Sequence, residues 1–257
     1  MKILGPTILL MLIFNMAIAQ GQVDYNDVSE ELLQAVIDNQ STQQYQDIIA
    51  QATVGDLEQA LHTDTKKLAF WVNVYNAYIQ IILRPNPDLY EDRRGFFSIK
   101  QIPIAGMQLS FADLEHGIIR GSQNEFFLGY IPVLFPPDYQ KRLGVDERDF
   151  RIHFALNCGA KDCPPVAVYT DDNLDYEFDY MTRKYLNSYS EVDADIQEVR
   201  TAQLFAWFRG DFGGSDGIRK ILVDYDVIPN QPRYRMMQKK YDWTLKLDNF
   251  VKIPPSD

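Results

Sequence analysis

Phe150-Arg151-Ile152-His153-Phe154-Ala155-Leu156-Asn157-Cys158-Gly159-Ala160-Lys161-Asp162-Cys163-Pro164-Pro165 holds both cysteines and one of the three histidines of the 257-residue chain. In its first half Phe150, Ile152, Phe154 and Leu156 alternate with Arg151, His153, Ala155 and Asn157, the period-two pattern of a half-buried strand. His153 and Asn157 then share one face. Cys158 stands at the strand's end, before a Cys-Gly turn and a stop at Pro164-Pro165, and element ends are where loops usually carry sites. Helical patterns lie on both sides of this strand. The expectation is a single domain with a central small sheet packed by helices, preceded by a helical lead-in.

Working outward, residues 24–62 are polar, Gln-rich and helical in pattern, with Leu32, Leu33, Val36 and Ile37 as one apolar patch and Gly55 as a break. Residues 67–83 are apolar almost throughout and long enough for a buried helix, which Pro85 and Pro87 end. Its only polar residues in the middle, Asn73, Asn76 and Gln80, fall on one stripe. That stripe is either a narrow solvent-facing line or a row of amides turned into a pocket, where each amide needs a partner. With Arg151, on the same strand face as His153, Asn73 and Asn76 make the candidate ligand-binding set.

Residues 96–110 read as a hairpin in which Phe97-Ser98-Ile99 and Met107-Gln108-Leu109 flank the Ala105-Gly106 turn. Ser110 is placed to cap a short helix over 111–120, with Asp113 in the position of a capping-box acid. Glu115 falls within the apolar arc of that helix, so its carboxylate is expected to be buried and paired with a histidine or arginine. After the cysteine loop, helices are expected over 172–186, capped by Thr170, over 201–211, and over 218–225.

Residues 1–19 combine a charged start, a short apolar core and an Ala17-Ile18-Ala19 ending, the form of a secretory signal peptide, which predicts a mature start at Gln20 and a secreted or periplasmic protein. The organisation expected is then signal peptide 1–19, helical segment 20–59, one domain over 60–248 and a tail over 249–257. No later apolar run has the length of a membrane span. A net charge of -11 argues against nucleic acid as a partner. A small molecule or peptide of unidentified structure remains as the expected partner.

Glu115-His116, together with Phe70-Trp71-Val72-Asn73-Val74-Tyr75-Asn76-Ala77, Arg151 to Cys158 and Cys163-Pro164-Pro165, closely resembles the motifs of the DUF547 family of uncharacterised proteins. The resemblance continues through Tyr169-Thr170, Asn173-Leu174, Trp207-Phe208, Asp211-Phe212-Gly213 and Tyr241-Asp242-Trp243, over roughly residues 60 to 248. It implies an α+β domain and no particular activity. Between the cysteines this chain has Gly159-Ala160-Lys161-Asp162, where the family more often has small and hydroxyl residues.

Three readings of the site stay open. In the first, Cys158 is a nucleophile and His116 or His153 takes its proton, with Glu115 or Asn157 orienting the imidazole, as in a hydrolase or acyl transferase. The order of residues, histidine before cysteine, differs from that of papain-like and transglutaminase-like enzymes. In the second, His116, His153, Cys158 and Cys163 bind zinc, the one cofactor any of the readings calls for. The H-x4-C-x4-C spacing is not a standard finger pattern. In the third, a Cys158–Cys163 disulfide clips the loop, worth about 2 kcal/mol for so short a ring, and the histidines with Glu115 line a pocket for binding or acid–base chemistry. His62, in a polar helical stretch, reads as a solvated surface residue.

Overall fold

The computed structural model describes residues 23–256; the expected signal peptide and the start at Gln20 lie outside the described residues. Three helices, α1 (Tyr25–Ile37), α2 (Gln43–Gln51) and α3 (Val54–Ala60), form the lead-in. Asp24 caps α1 by accepting from the amides of Asn26 and Asp27, and Thr53 and Asp56 form a reciprocal capping box on α3. The break expected at Gly55 therefore falls just before it, at Ala52-Thr53, because the capping box fixes where α3 begins.

Helix α4 (Asp64–Leu83) is the centre of the largest core, as its apolar sequence requires. Its polar stripe turns neither to solvent nor to a pocket. Asn73 donates to Tyr169 O at 2.7 Å and accepts from Tyr169 N at 2.9 Å. Asn76 does the same across Ala155 O (3.0 Å) and Asn157 N (2.9 Å), and Gln80 accepts from Asp248 N at 3.2 Å. These buried amides clamp irregular chain onto the helix, supplying the partners that a buried backbone without secondary structure otherwise lacks.

The hairpin has its turn at Ala105-Gly106, but its strands are β1 (Ile102–Ile104) and β2 (Met107–Leu109). Both turn residues have positive φ, as a tight two-residue hairpin needs. Phe97-Ser98 instead end a short helix, α5 (Arg93–Ser98), which Asp92 caps through Gly95 N, so local capping overrides the strand reading there. Past this hairpin come α6 (Asp138–Leu143) and, after the cysteine loop, α7 (Leu174–Tyr189). Thr170 lies ahead of α7 and is joined to Glu177, through its amide at 2.7 Å and its hydroxyl at 2.9 Å.

A second sheet has β4 (Glu198–Thr201) between antiparallel β3 (Glu191–Asp193) and parallel β5 (Arg235–Gln238). Thr201 belongs to that sheet, which confines the helix expected over 201–211 to α8 (Leu204–Trp207); α9 (Gly214–Asp224) follows. With α7, α8 and α9 this sheet builds the second, smaller core. The architecture is thus α+β, mostly helical with two small sheets.

The expected strand over 150–157 is not one. Phe150–Phe154 is a turn of 3-10 helix capped by Asp149, followed by irregular chain. The alternation has a different cause: Ile152, Ala155 and Leu156 enter the α4 core while Phe154 enters the second core. The segment is wedged between two cores and buried on every side, so its apolar residues alternate without any pleat.

Candidate functional site

Ser110 and Asp113 form the expected reciprocal box, with Ser110 N and Oγ donating to Asp113 Oδ2 at 2.9 and 2.8 Å and Asp113 N donating back to Ser110 Oγ at 3.0 Å. The helix they start then widens into a π-helical stretch, Asp113–Ile119, closed by Arg120 N donating to Glu115 O at 2.9 Å. Such widened turns are often found at functional sites. Here the stretch sets Glu115 and His116 side by side, with a Glu115 Oε1 to His116 Nδ1 distance of 3.7 Å. Glu115 Oε2 accepts from the Tyr75 hydroxyl at 3.3 Å. Burial and the facing Glu115 carboxylate push the Tyr75 pKa well above its ordinary value, so Tyr75 stays a donor. Four residues on from His116, Arg120 donates through Nη1 to His116 Nδ1 at 2.8 Å. That bond fixes the tautomer: the proton of a neutral His116 sits on Nε2.

His153 is held differently. Its Nε2 donates to Asp211 Oδ2 at 2.9 Å, and its ring stacks on Phe208 at 4.1 Å between centroids. The same carboxylate oxygen accepts from Arg120 Nε at 2.7 Å, and Oδ1 accepts from Arg148 Nη1 at 2.9 Å. Burial drives the His153 pKa down despite the attraction of Asp211, so the imidazole is neutral. Burial alone would raise Asp211, but the hydrogen bonds from His153 and Arg120 outweigh it and hold the carboxyl at about 2. Gly129 makes this approach feasible: its φ is +84° and a Cβ there would lie 2.1 Å from Asp211 Oδ1.

Asn157 shapes the cysteine loop. Its side-chain amide donates to Pro164 O at 2.6 Å and its carbonyl accepts from Gly159 N at 2.8 Å, tying the two ends of the loop together. Cys158 and Cys163 come to disulfide distance, with Cα atoms 6.2 Å apart. The closing segment of the chain runs alongside, Lys246 N donating to Gly159 O and Lys161 N to Thr244 O, both at 2.8 Å, which brings Tyr241 over the sulfurs.

Glu115, His116, His153, Cys158 and Cys163 all line one cavity of about 470 Å³ whose remaining wall is largely apolar, with Phe97, Trp207, Phe208, Tyr241 and Trp243 among its aromatic members. A larger depression of about 680 Å³ holds neither histidine nor cysteine and is lined mainly by charged residues. Arg151 belongs there, ringed by Asp149, Asp175 and Asp179 at 2.7, 2.8 and 3.0 Å. Asn73, Asn76 and Asn157 are buried supports that do not line the cavity. Glu115 is mostly buried, with 18% of its side chain exposed. Among the described residues, no group of three or more His, Cys, Asp or Glu side chains is arranged to hold a metal ion, so the four candidate zinc ligands share a cavity without forming a coordination sphere.

Sequence reasoning assigned no role to Arg120, Asp211, Tyr75 or Tyr241. The i, i+4 spacing of His116 and Arg120 was a readable signal; Asp211, 58 residues from His153, stood out only among the motifs of the family resemblance. Among the described residues no helix is long and apolar enough to cross a membrane. Comparison with curated proteins and with solved structures finds no match. The family described as "Protein of unknown function, DUF547" matches residues 59–186, which include α4, the Glu115-His116 pair and the whole cysteine loop, and the chain belongs to that family.

Proposed function

We propose that the protein is a hydrolase or acyl transferase acting on a small molecule that is apolar over most of its surface, with Glu115 as base and His116 as acid. The observation that carries this reading is the hydrogen bond from Arg120 Nη1 to His116 Nδ1 at 2.8 Å, which makes the Nε2–H of His116 a donor on the cavity wall, with Glu115 Oε1 3.7 Å from the other ring nitrogen. An acid and a base side by side on the wall of a mainly apolar cavity is the arrangement that general acid–base chemistry needs. The aromatic walls favour an apolar or aromatic ligand body, and Phe126 and Leu128, on an exposed apolar loop, extend that wall to the rim. In this reading the Cys158–Cys163 pair is bridged and Cys158 is not the nucleophile. An exported protein, as residues 1–19 lead one to expect, would meet oxidising conditions that keep it so.

The test is turnover of a panel of aryl and alkyl esters and amides by the purified chain. Substituting Glu115→Gln should lower kcat/KM at least about 100-fold, the usual scale of general acid–base catalysis, with little change in stability. A protein that turns over no member of the panel, yet binds apolar compounds with a change in Trp207 and Trp243 fluorescence, would instead be a non-catalytic binding protein. Stoichiometric zinc in the purified protein, lost to chelator together with stability, would overturn both.

A further inference from the structure

The two sulfurs on the cavity wall are not equivalent. Cys163 is only 4% exposed, and its Sγ accepts two hydrogen bonds, from Cys158 N at 3.1 Å and from the Tyr241 hydroxyl at 3.2 Å. Burial pushes the Tyr241 pKa far above its ordinary value, so the phenol keeps the proton it donates. Cys158 is less enclosed, and its sulfur has that hydroxyl only at the longer distance of 3.7 Å. Thiol–disulfide exchange makes two demands: a sulfur that an incoming thiolate can reach, and a partner sulfur that leaves readily as a thiolate. Hydrogen-bond donors aimed at a sulfur stabilise its thiolate and so improve it as a leaving group. The greater exposure of Cys158 and the two donors at Cys163 meet the two demands separately.

We propose that Cys158–Cys163 is an exchanging disulfide that accepts electrons from a low-molecular-weight thiol entering the cavity, with Cys158 as the attacked sulfur. The incoming thiolate forms a new S–S bond to Cys158 Sγ as the Cys158–Cys163 bond breaks. The electron pair of the broken bond stays on Cys163 Sγ, held by Cys158 N–H and the Tyr241 hydroxyl. A second thiolate then attacks the sulfur of the bound thiol and releases Cys158. Two thiols are thereby oxidised to one disulfide, the protein pair is reduced, and the two cysteines take up the two protons the thiols gave up. The step needs no other oxidant. It needs the cavity open to Cys158 but neither Glu115 nor His116, so it does not depend on the acid–base reading.

The test uses the oxidised, folded full-length chain treated with reduced glutathione, quenched with acid and mapped by mass spectrometry. The expected result is reduction under native conditions through an adduct on Cys158 alone. Tyr241→Phe should slow that reduction about tenfold, the worth of one hydrogen bond of ordinary strength, without a matching change in unfolding midpoint. Because Tyr241→Phe also disturbs aromatic packing, the site of the adduct in the wild-type chain is an independent readout. A bridge that glutathione reduces only after urea has unfolded the protein, an adduct on Cys163, or an unchanged rate in Tyr241→Phe would each overturn the proposal. Ester turnover measured on the same samples keeps failure of this inference separate from failure of the acid–base reading.

Discussion

His116 and His153 line the same cavity and share Arg120 and Phe208 as neighbours, yet they are built for opposite tasks. His153 has 2% of its side chain exposed, and its hydrogen-bonded carboxylate carries two arginines. His116 has 20% exposed and a single strong partner, leaving Nε2 on the side of Glu125, a cavity residue 3.9 Å away. A buried ring with an ion-paired partner is costly to move or to protonate, because any change strands a charge away from water. A ring at the cavity wall, fixed only at one nitrogen, can exchange a proton with a ligand. One histidine is therefore locked into the wall, while the other is held there through one ring nitrogen only.

The largest effect expected from this contrast is at the anchor. Asp211→Ala leaves the buried Arg120 without its carboxylate, and breaking a buried pair in this way costs about 3 to 5 kcal/mol. Urea unfolding checks it; a loss below about 1 kcal/mol would mean that the His153 wall is no fixed network.

Asn76→Ala comes next. It orphans the Asn157 amide and the Ala155 carbonyl, at about 1 kcal/mol or more for each buried group, and it should also loosen the cysteine loop that Asn157 organises. If stability is unchanged while ligand binding is lost, Asn76 is a binding residue and the clamp assignment falls.

A pH dependence follows from His153. Its pKa in the folded protein lies below the unfolded value of about 6.5, so the unfolded chain binds a proton the folded protein refuses. Its contribution is complete above about pH 6.5 and declines as the pH falls below it. Asp211, at about 2, stays ionised through that window and loses its contribution only as the pH falls from its unfolded value of about 3.9 towards 2. Glu30, pushed up to about 7 chiefly by burial, works in the opposite sense, gaining stability as the pH falls below 7. The His153 slope is therefore the difference between wild type and His153→Gln in urea titrations at several pH values. An identical slope in both would show that the folded protein protonates His153 freely.

The smallest stability effect belongs to His116→Gln, about 0.5 kcal/mol or less, because a side chain at a cavity wall gives up little packing. Its effect on turnover should be far larger than its effect on the unfolding midpoint. Equal effects on both would make His116 a second anchor and erase the contrast.

Features decided within a few residues were legible in the chain itself. The apolar run of α4, the Ala105-Gly106 turn and the Ser110–Asp113 box each depend on side chains and backbone within one turn of one another, so composition and spacing suffice to read them. The expected site of Glu115, His116, His153, Asn157 and Cys158 rested on a capped helix and a strand end as its supports; four of these residues line one cavity, Asn157 does not, and the strand is a 3-10 turn. What only the tertiary structure decided are the partners. The period-two pattern over 150–157 came from two cores meeting around one segment, which no local periodicity can distinguish from a pleated strand. The amides of Asn73 and Asn76 were read as a pocket or a solvent stripe because their backbone partners lie 96 and 79 to 81 residues away. The carboxylate that holds His153 comes from beyond α8, next to the second core. Capping and turn energies are local and leave marks in the sequence, whereas the partner of a buried charge or amide is set by which surfaces pack together, and that is a property of the whole fold.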